Sequence, residues 1–308
     1  YFEQSGEVKE AGPLLKLIRQ RMLWQLLEDL GWRSQVGRSL NRLGIAAIDW
    51  PIERVMQAAD AWTESVNNTL GYRIENEKAR GFVLGLVQHT LSLGAFGLAD
   101  LSLYRDKSGV AFLLNKLGYT PALGPGSPRP KYPAASKGDG LESLRNASGV
   151  QSWYERWLLC LNPEGLVDPK QLEEVLAAAL DALRDTGLLQ QEWAERGTRL
   201  WMLNPDVLTI TTDVKAVECP GYRPMPVPAG QAEHWLGLPI VSANQTDLVY
   251  EEAVPVRESL YGNIYRTGEI HRVIAHEHTG LLATSERLRV EDSFINGTKP
   301  WEYNLLSA

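Results

Sequence analysis

With 308 residues and 44% hydrophobic content, the chain can build two or three compact units with real cores. Its formal net charge of −7 excludes a surface that grips nucleic acid everywhere, so any such contact must be a local basic patch. Cys160 and Cys219 lie too far apart to read as a disulfide framework, and the expected setting is a reducing cytoplasm. From Pro13, apolar residues recur at Leu14, Leu15, Ile18, Met22, Leu23, Leu26, Leu27 and Leu30, a helical stripe that Gly31 stops. Trp32 to Leu40 is a basic, glycine-hinged connection carrying Arg33 and Arg38. Asp49 is the expected cap of a second helix, with Pro51 in its first turn and Ile52, Val55, Met56, Ala59, Trp62 and Val66 on one face. A third helix is expected from about Glu75 to Ser92. The apolar run Gly81 to Leu103 is broken by Gln88, His89 and Asp100, so it reads as a buried helix and not a membrane span. Trp24, Trp32, Trp50 and Trp62 are expected in the core, with base stacking the lesser alternative.

Between Tyr119 and Asn146 stand five prolines, four glycines and three serines, the composition of a linker or a mobile surface loop. Ser152 to Leu161 reads as a short helix. Asp168-Pro169-Lys170-Gln171 opens another, with Leu172, Val175, Leu176, Ala179 and Leu183 as its buried stripe and Gly187 as its stop. Leu188–Trp193 and Thr198–Leu203 form an expected hairpin around Glu195-Arg196-Gly197. Helix, helix, hairpin is the order of a winged-helix module. Glu173, Glu174, Asp181 and Asp185 on its second helix would repel phosphate, which favours a packing role over groove reading. In Cys219-Pro220-Gly221-Tyr222, Tyr222 holds the second position of a C-x-x-C knuckle. The ligand count falls short of zinc, and no metal is expected.

The last fifty residues carry the chemistry. Ile274 to Leu282 reads as a buried strand and a tight polar turn. Thr284 or Ser285 would cap a following helix, with Arg287 on its first turns and Phe294 as its buried anchor. Asn296-Gly297 turns the chain toward a second strand at Asn304 to Ala308. This is half of a βαβ unit, whose turn lies where open α/β sheets place ligands. His276 and His278 would share one side of an extended strand. A third ligand is not evident nearby, so a metal hydrolase ranks below nucleic-acid contact. Gly280 permits close approach to a phosphate, Thr279 can donate to it, and the next helix offers its positive end.

The spacing resembles the second RecA-like domain of superfamily 2 (DEAD/DEAH-type) helicases. There a His-Thr-Gly turn and an Arg on the next helix hold the nucleic-acid backbone. Ser307-Ala308 is similar to the opening of the motif that continues with Thr and ends in Gly-Ile-Asp. Within that superfamily, Glu277 to Leu282, Pro300 to Ala308 and Arg33 to Leu40 resemble the large helicases of bacterial antiphage islands, of the Druantia and DISARM kind. Tyr1 to Gln4 is similar to a helix end of the same motor domain. The resemblance implies a mostly helical α+β chain: 1–7 the end of a RecA-like helix, 8–118 a helical accessory unit and 119–149 a linker. It further implies 150–217 a winged-helix-like module, 218–265 a degenerate zinc-knuckle-like β segment, and 266–308 a partial second RecA-like domain.

On this reading the chain is a fragment of an ATP-dependent DNA helicase or translocase in antiphage defence. Its implied nucleic-acid contacts are His278, Thr279, Gly280, Arg287 and Ser307, with Arg33 and Arg38 as secondary basic contacts. ATP and Mg would act in the full-length protein. The chain has no G-x-x-x-x-G-K-[ST] loop, so alone it is expected to be inactive, with no catalytic residue and no zinc. The implied partners are DNA, the rest of the polypeptide and other defence subunits, with no membrane. The rival expectation is a non-catalytic protein-docking module.

Overall fold

A computed structural model describes residues 22–34, 38–98, 130–138, 140–146, 150–165, 171–194, 197–241, 245–267, 275–277, 284–296 and 305–307. At 245–247, 275–277, 287, 293–296 and 305–307 only the backbone is described. The chain is mixed α and β with several small sheets. It divides into two compact units, Tyr1–Glu258 and Ser259–Ala308. No helix among the described residues is long and apolar enough to cross a membrane.

Unit 1 is built around a hydrophobic core to which the segments 8–118, 150–217 and 218–265 all contribute. Helix α1 (22–30) buries Trp24, Leu27 and Leu30, following the expected stripe. Strand β1 (Ala47–Asp49) precedes α2 (Ile52–Ser65). Asp49 is not the cap of α2. The cap position is Pro51, and the Asp49 carboxylate instead accepts from the Trp50 backbone N–H at 2.9 Å and from Gln231 Nε2 at 2.6 Å. The stripe of α2 buries Val55, Ala58, Ala59 and Trp62, each large side chain contributing about 1.5–3 kcal/mol. A π-helical turn (Val66–Leu70) closes it at Gly71.

Helix α3 (Asn76–Ser92) runs through the core, buried on most of its circumference from Ala79 to Leu91. Gly85 makes this possible: a Cβ there would sit 2.3 Å from Trp157 Nε1. With that space left open, Trp157 donates its indole N–H to the Phe82 carbonyl at 3.1 Å. Trp157 belongs to α4 (Trp153–Leu161), which starts with a capping box between Ser152 and Glu155. Helix α5 (Leu172–Asp185) packs against α2, where Trp62 donates to the Val175 carbonyl at 3.0 Å and stacks on Phe82. Of the expected core tryptophans, Trp24, Trp50 and Trp62 are buried, while Trp32 is half-buried and edge-on to Trp24.

The segment read as a linker contains two strands, β2 (Tyr132–Ala134) and β3 (Leu141–Ser143). They pair in parallel, and β2 also pairs with β5 (Arg199–Leu203) at Ala134↔Leu200. Strands three residues long leave too little periodicity to read, and their ordering comes from a partner far along the chain. Strand β4 (Leu189–Trp193) completes the sheet in the order β3-β2-β5-β4, registered with β5 from Leu189↔Leu203 to Trp193↔Arg199. Strand β6 (Thr209–Thr211) returns to β1. Strands β7 (Val214–Glu218), β8 (Met225–Pro228) and β11 (Glu252–Pro255) form an antiparallel sheet, and β9 (Pro239–Ile240) pairs with β10 (Gln245–Val249).

Unit 2 has α6 (Leu260–Thr267), β12 (Ala275–Glu277), α7 (Thr284–Asn296) and β13 (Leu305–Ser307). Strands β12 and β13 pair in parallel, from Ala275↔Leu305 to Glu277↔Ser307. The expected strand, helix and parallel strand are therefore all present. Among the described side chains of α7, Val290 is buried and Leu288 is exposed; the side chain of Phe294 lies outside the described residues.

Candidate functional site

In a parallel pair both strands run out at one edge, and here that edge is set by Glu277 opposite Ser307. Ser307 is the last residue of β13, and His278 is the next residue after β12. His278, Thr279 and Gly280 themselves lie outside the described residues. Arg287 falls on the first turns of α7, with only its backbone described. The pairing thus places Glu277 and Ser307 side by side at the carboxyl end of the two strands, the end favoured for ligands in open α/β sheets.

The two secondary basic positions are in unit 1. Arg33 pairs with Glu28 at 3.1 Å, which spends part of its charge within the protein. Arg38 is exposed.

The acidic face expected on the second helix of the helix–helix–hairpin region takes a different form. Glu174 and Asp185 are exposed, but Asp181 is half-buried and accepts three hydrogen bonds. These come from Arg199 Nη1 at 2.8 Å, Arg184 Nη1 at 3.0 Å and Trp201 Nε1 at 3.0 Å. The Arg199 guanidinium also lies 4.7 Å over the Trp201 ring. Asp181 thereby ties α5 to the β4–β5 hairpin. Helix α5 buries Val175, Leu176, Ala177, Ala179, Leu180, Ala182 and Leu183. Trp193, at the hairpin end of β4, is 65% exposed.

Sequence reasoning missed a second constellation. His89 on α3 lies flat on Trp153 of α4, with ring centroids 3.7 Å apart and planes within 6°. Trp157 continues the stack one turn on, 5.8 Å from Trp153. Glu142 of β3 accepts from His89 Nε2 at 2.8 Å. Burial of Glu142 opposes its charge, but the hydrogen bond and charge of His89, helped by Lys131 and Arg156, hold its carboxyl below the usual range. Trp153 is oriented by its own indole N–H, which reaches the Val241 carbonyl at 3.1 Å. His89 and Trp153 line a cleft of about 640 Å³ together with Gln88, Tyr222, Met225 and Val241. The available signal was Gln88-His89: two polar residues interrupting an apolar helix mark the strip that faces something other than core.

Among the described residues no group of three or more His, Cys, Asp or Glu side chains is placed to hold a metal. Cys219 is buried and Cys160 half-buried, both as free thiols. No protein-family model, curated protein or solved structure matches this chain.

Proposed function

We propose that the chain contributes nucleic-acid backbone contacts to an ATP-dependent DNA helicase or translocase of bacterial antiphage defence. In this reading 266–308 is part of a second RecA-like domain, and the helix–helix–hairpin region is a winged-helix-like module used for packing. The supporting observation is the parallel register Glu277↔Ser307 across a strand–helix–strand order. His278, Thr279, Gly280 and Ser307 then serve as phosphate contacts, and Arg287 adds charge from the helix that follows. ATP and Mg belong to the complete motor. The residues of this chain do not fit them, since the sequence has no phosphate loop, and no hydrolytic step is assigned to it.

The test is single-stranded DNA binding by the chain, measured by fluorescence anisotropy across a salt series. Affinity should fall steeply with salt, and Arg287→Ala should lower the slope of log K against log salt by about 0.7, the value for one contact on a single strand. Unchanged affinity and slope in Arg287→Ala would sink this reading. A second reading, a protein-docking module, draws on the exposed Leu260 and Tyr265 of α6. A stable protein complex without DNA affinity would favour it.

A further inference from the structure

Strands β11, β7 and β8 form a sheet whose two outer strands are finished differently. Strand β8 carries Pro226 and Pro228, which have no N–H to donate. In β11 the one proline is its last residue, Pro255, so Glu252, Ala253 and Val254 keep theirs. Among the described residues no strand pairs with β11 on the side away from β7. Half of its backbone donors and acceptors therefore stand at an open edge, the kind to which a further strand adds.

The side chains beside this edge carry more negative charge than the fold uses. Val217 and Ala253 sit directly opposite each other and pack into the core. One position along, Glu218 and Glu252 are also directly opposite, so by strand alternation they share the other face. Like charges in that relation are destabilising. Lys215 does not offset them: three positions from Glu218 along β7, it falls on the opposite side of the strand. Glu218 Oε1 is buried and accepts no hydrogen bond. Its Oε2 lies 3.6 Å from Arg257 Nη2, a loose pair whose arginine is 84% exposed and well screened. A hollow of about 580 Å³ opens beside the pair, where Glu218, Glu251 and Glu252 stand against the single guanidinium of Arg257.

This charge selects the occupant. A second copy would bring two sets of Glu251 and Glu252 to one seam, and nucleic acid would set them against phosphate. One metal ion does not suit them, since among the described residues no three acidic, His or Cys side chains converge to hold it. An extended polypeptide with positive side chains meets both needs. Its backbone completes the β11 ladder, and its alternate side chains reach the carboxylates. We propose that β11 is a docking edge at which a lysine- or arginine-bearing segment of a partner protein adds as a fourth strand. The surface lies wholly in unit 1 and is independent of the sheet edge in unit 2.

The experiment titrates the whole chain, by fluorescence anisotropy, with a short labelled peptide alternating lysine and threonine. Two controls are its glutamate–threonine counterpart and the lysine–threonine peptide methylated on every backbone nitrogen, which keeps the charge and removes the ladder. The lysine–threonine peptide should bind, and each control should be about tenfold weaker or more. Glu251→Lys and Glu252→Lys should each weaken the lysine–threonine peptide about tenfold. Both positions are exposed, and Glu252→Lys sets opposite charges across β11 and β7, so that variant should melt at or above the parent temperature. No binding of the lysine–threonine peptide at millimolar concentration overturns the docking edge, as does binding that both variants leave untouched. Equal binding of the methylated peptide also overturns it, because charge alone would then hold the ligand without an added strand. Binding lost in Glu252→Lys and on methylation, yet kept in Arg287→Ala, upholds it whatever the outcome with DNA.

Discussion

Tyr1–Glu258 buries Trp24, Trp50, Trp62, Trp157, Trp201 and Trp235, whereas the buried apolar side chain described in Ser259–Ala308 is Val290. Polar chemistry is organised differently in the two. In unit 1, His89 meets Glu142 from 53 positions away, and Asp181 gathers Arg199 and Trp201 from a hairpin. In unit 2, the described backbone sets Glu277 opposite Ser307 by one strand register. Long-range partners therefore define the polar groups described in the first region, and a strand register defines the paired backbone described in the second.

The strongest way to break this contrast is Trp157→Ala. Loss of a fully buried indole and its bond to Phe82 should cost about 3–5 kcal/mol in chemical denaturation. A cost below about 1 kcal/mol would mean that the core does not depend on the α3–α4 contact. Asp181→Ala should come next. It removes the shared acceptor of Arg199 and the Trp201 indole N–H, while Arg184 keeps Asp185 and Gln191, and with both arginines about one-third exposed solvent screening limits the loss to about 1–3 kcal/mol. Glu142→Gln sharpens the comparison through pH. Because folding lowers this carboxyl below its ordinary value of 4.5, its ionisation stabilises the fold above that pH. The contribution is lost as pH falls from there through the folded value. The variant should flatten that part of the acid melting curve, and an unchanged slope would remove the His89 pair from the account. Leu288→Ala in unit 2 should be smallest, within about 0.5 kcal/mol, since the side chain is 57% exposed.

Helices were readable wherever an apolar stripe ran for several turns, as in α2, α3 and α5, and so was the β4–β5 hairpin with Gly197 at its turn. The strand–helix–strand order of unit 2 was readable for the same reason: each piece is local. Strands β2 and β3 were not, because their three residues are ordered by pairing with each other and with β5. The cap at Asp49 misled because its carboxylate is taken by Gln231, 182 positions away. The His89–Trp153–Glu142 group joins three segments that share no spacing. Only the polar break at Gln88-His89 hinted at it.

The bare Cα at Gly85 has an effect beyond the contact it permits. Trp157, which fills the hollow there, lies one helical turn after Trp153 and stacks beside it, with ring centroids 5.8 Å apart. A single methyl at position 85 would meet the Trp157 indole at 2.3 Å, so that ring or the helices around it must shift. The position serves as a calliper: the smallest residue in the chain sets how closely the Trp157 indole can approach α3.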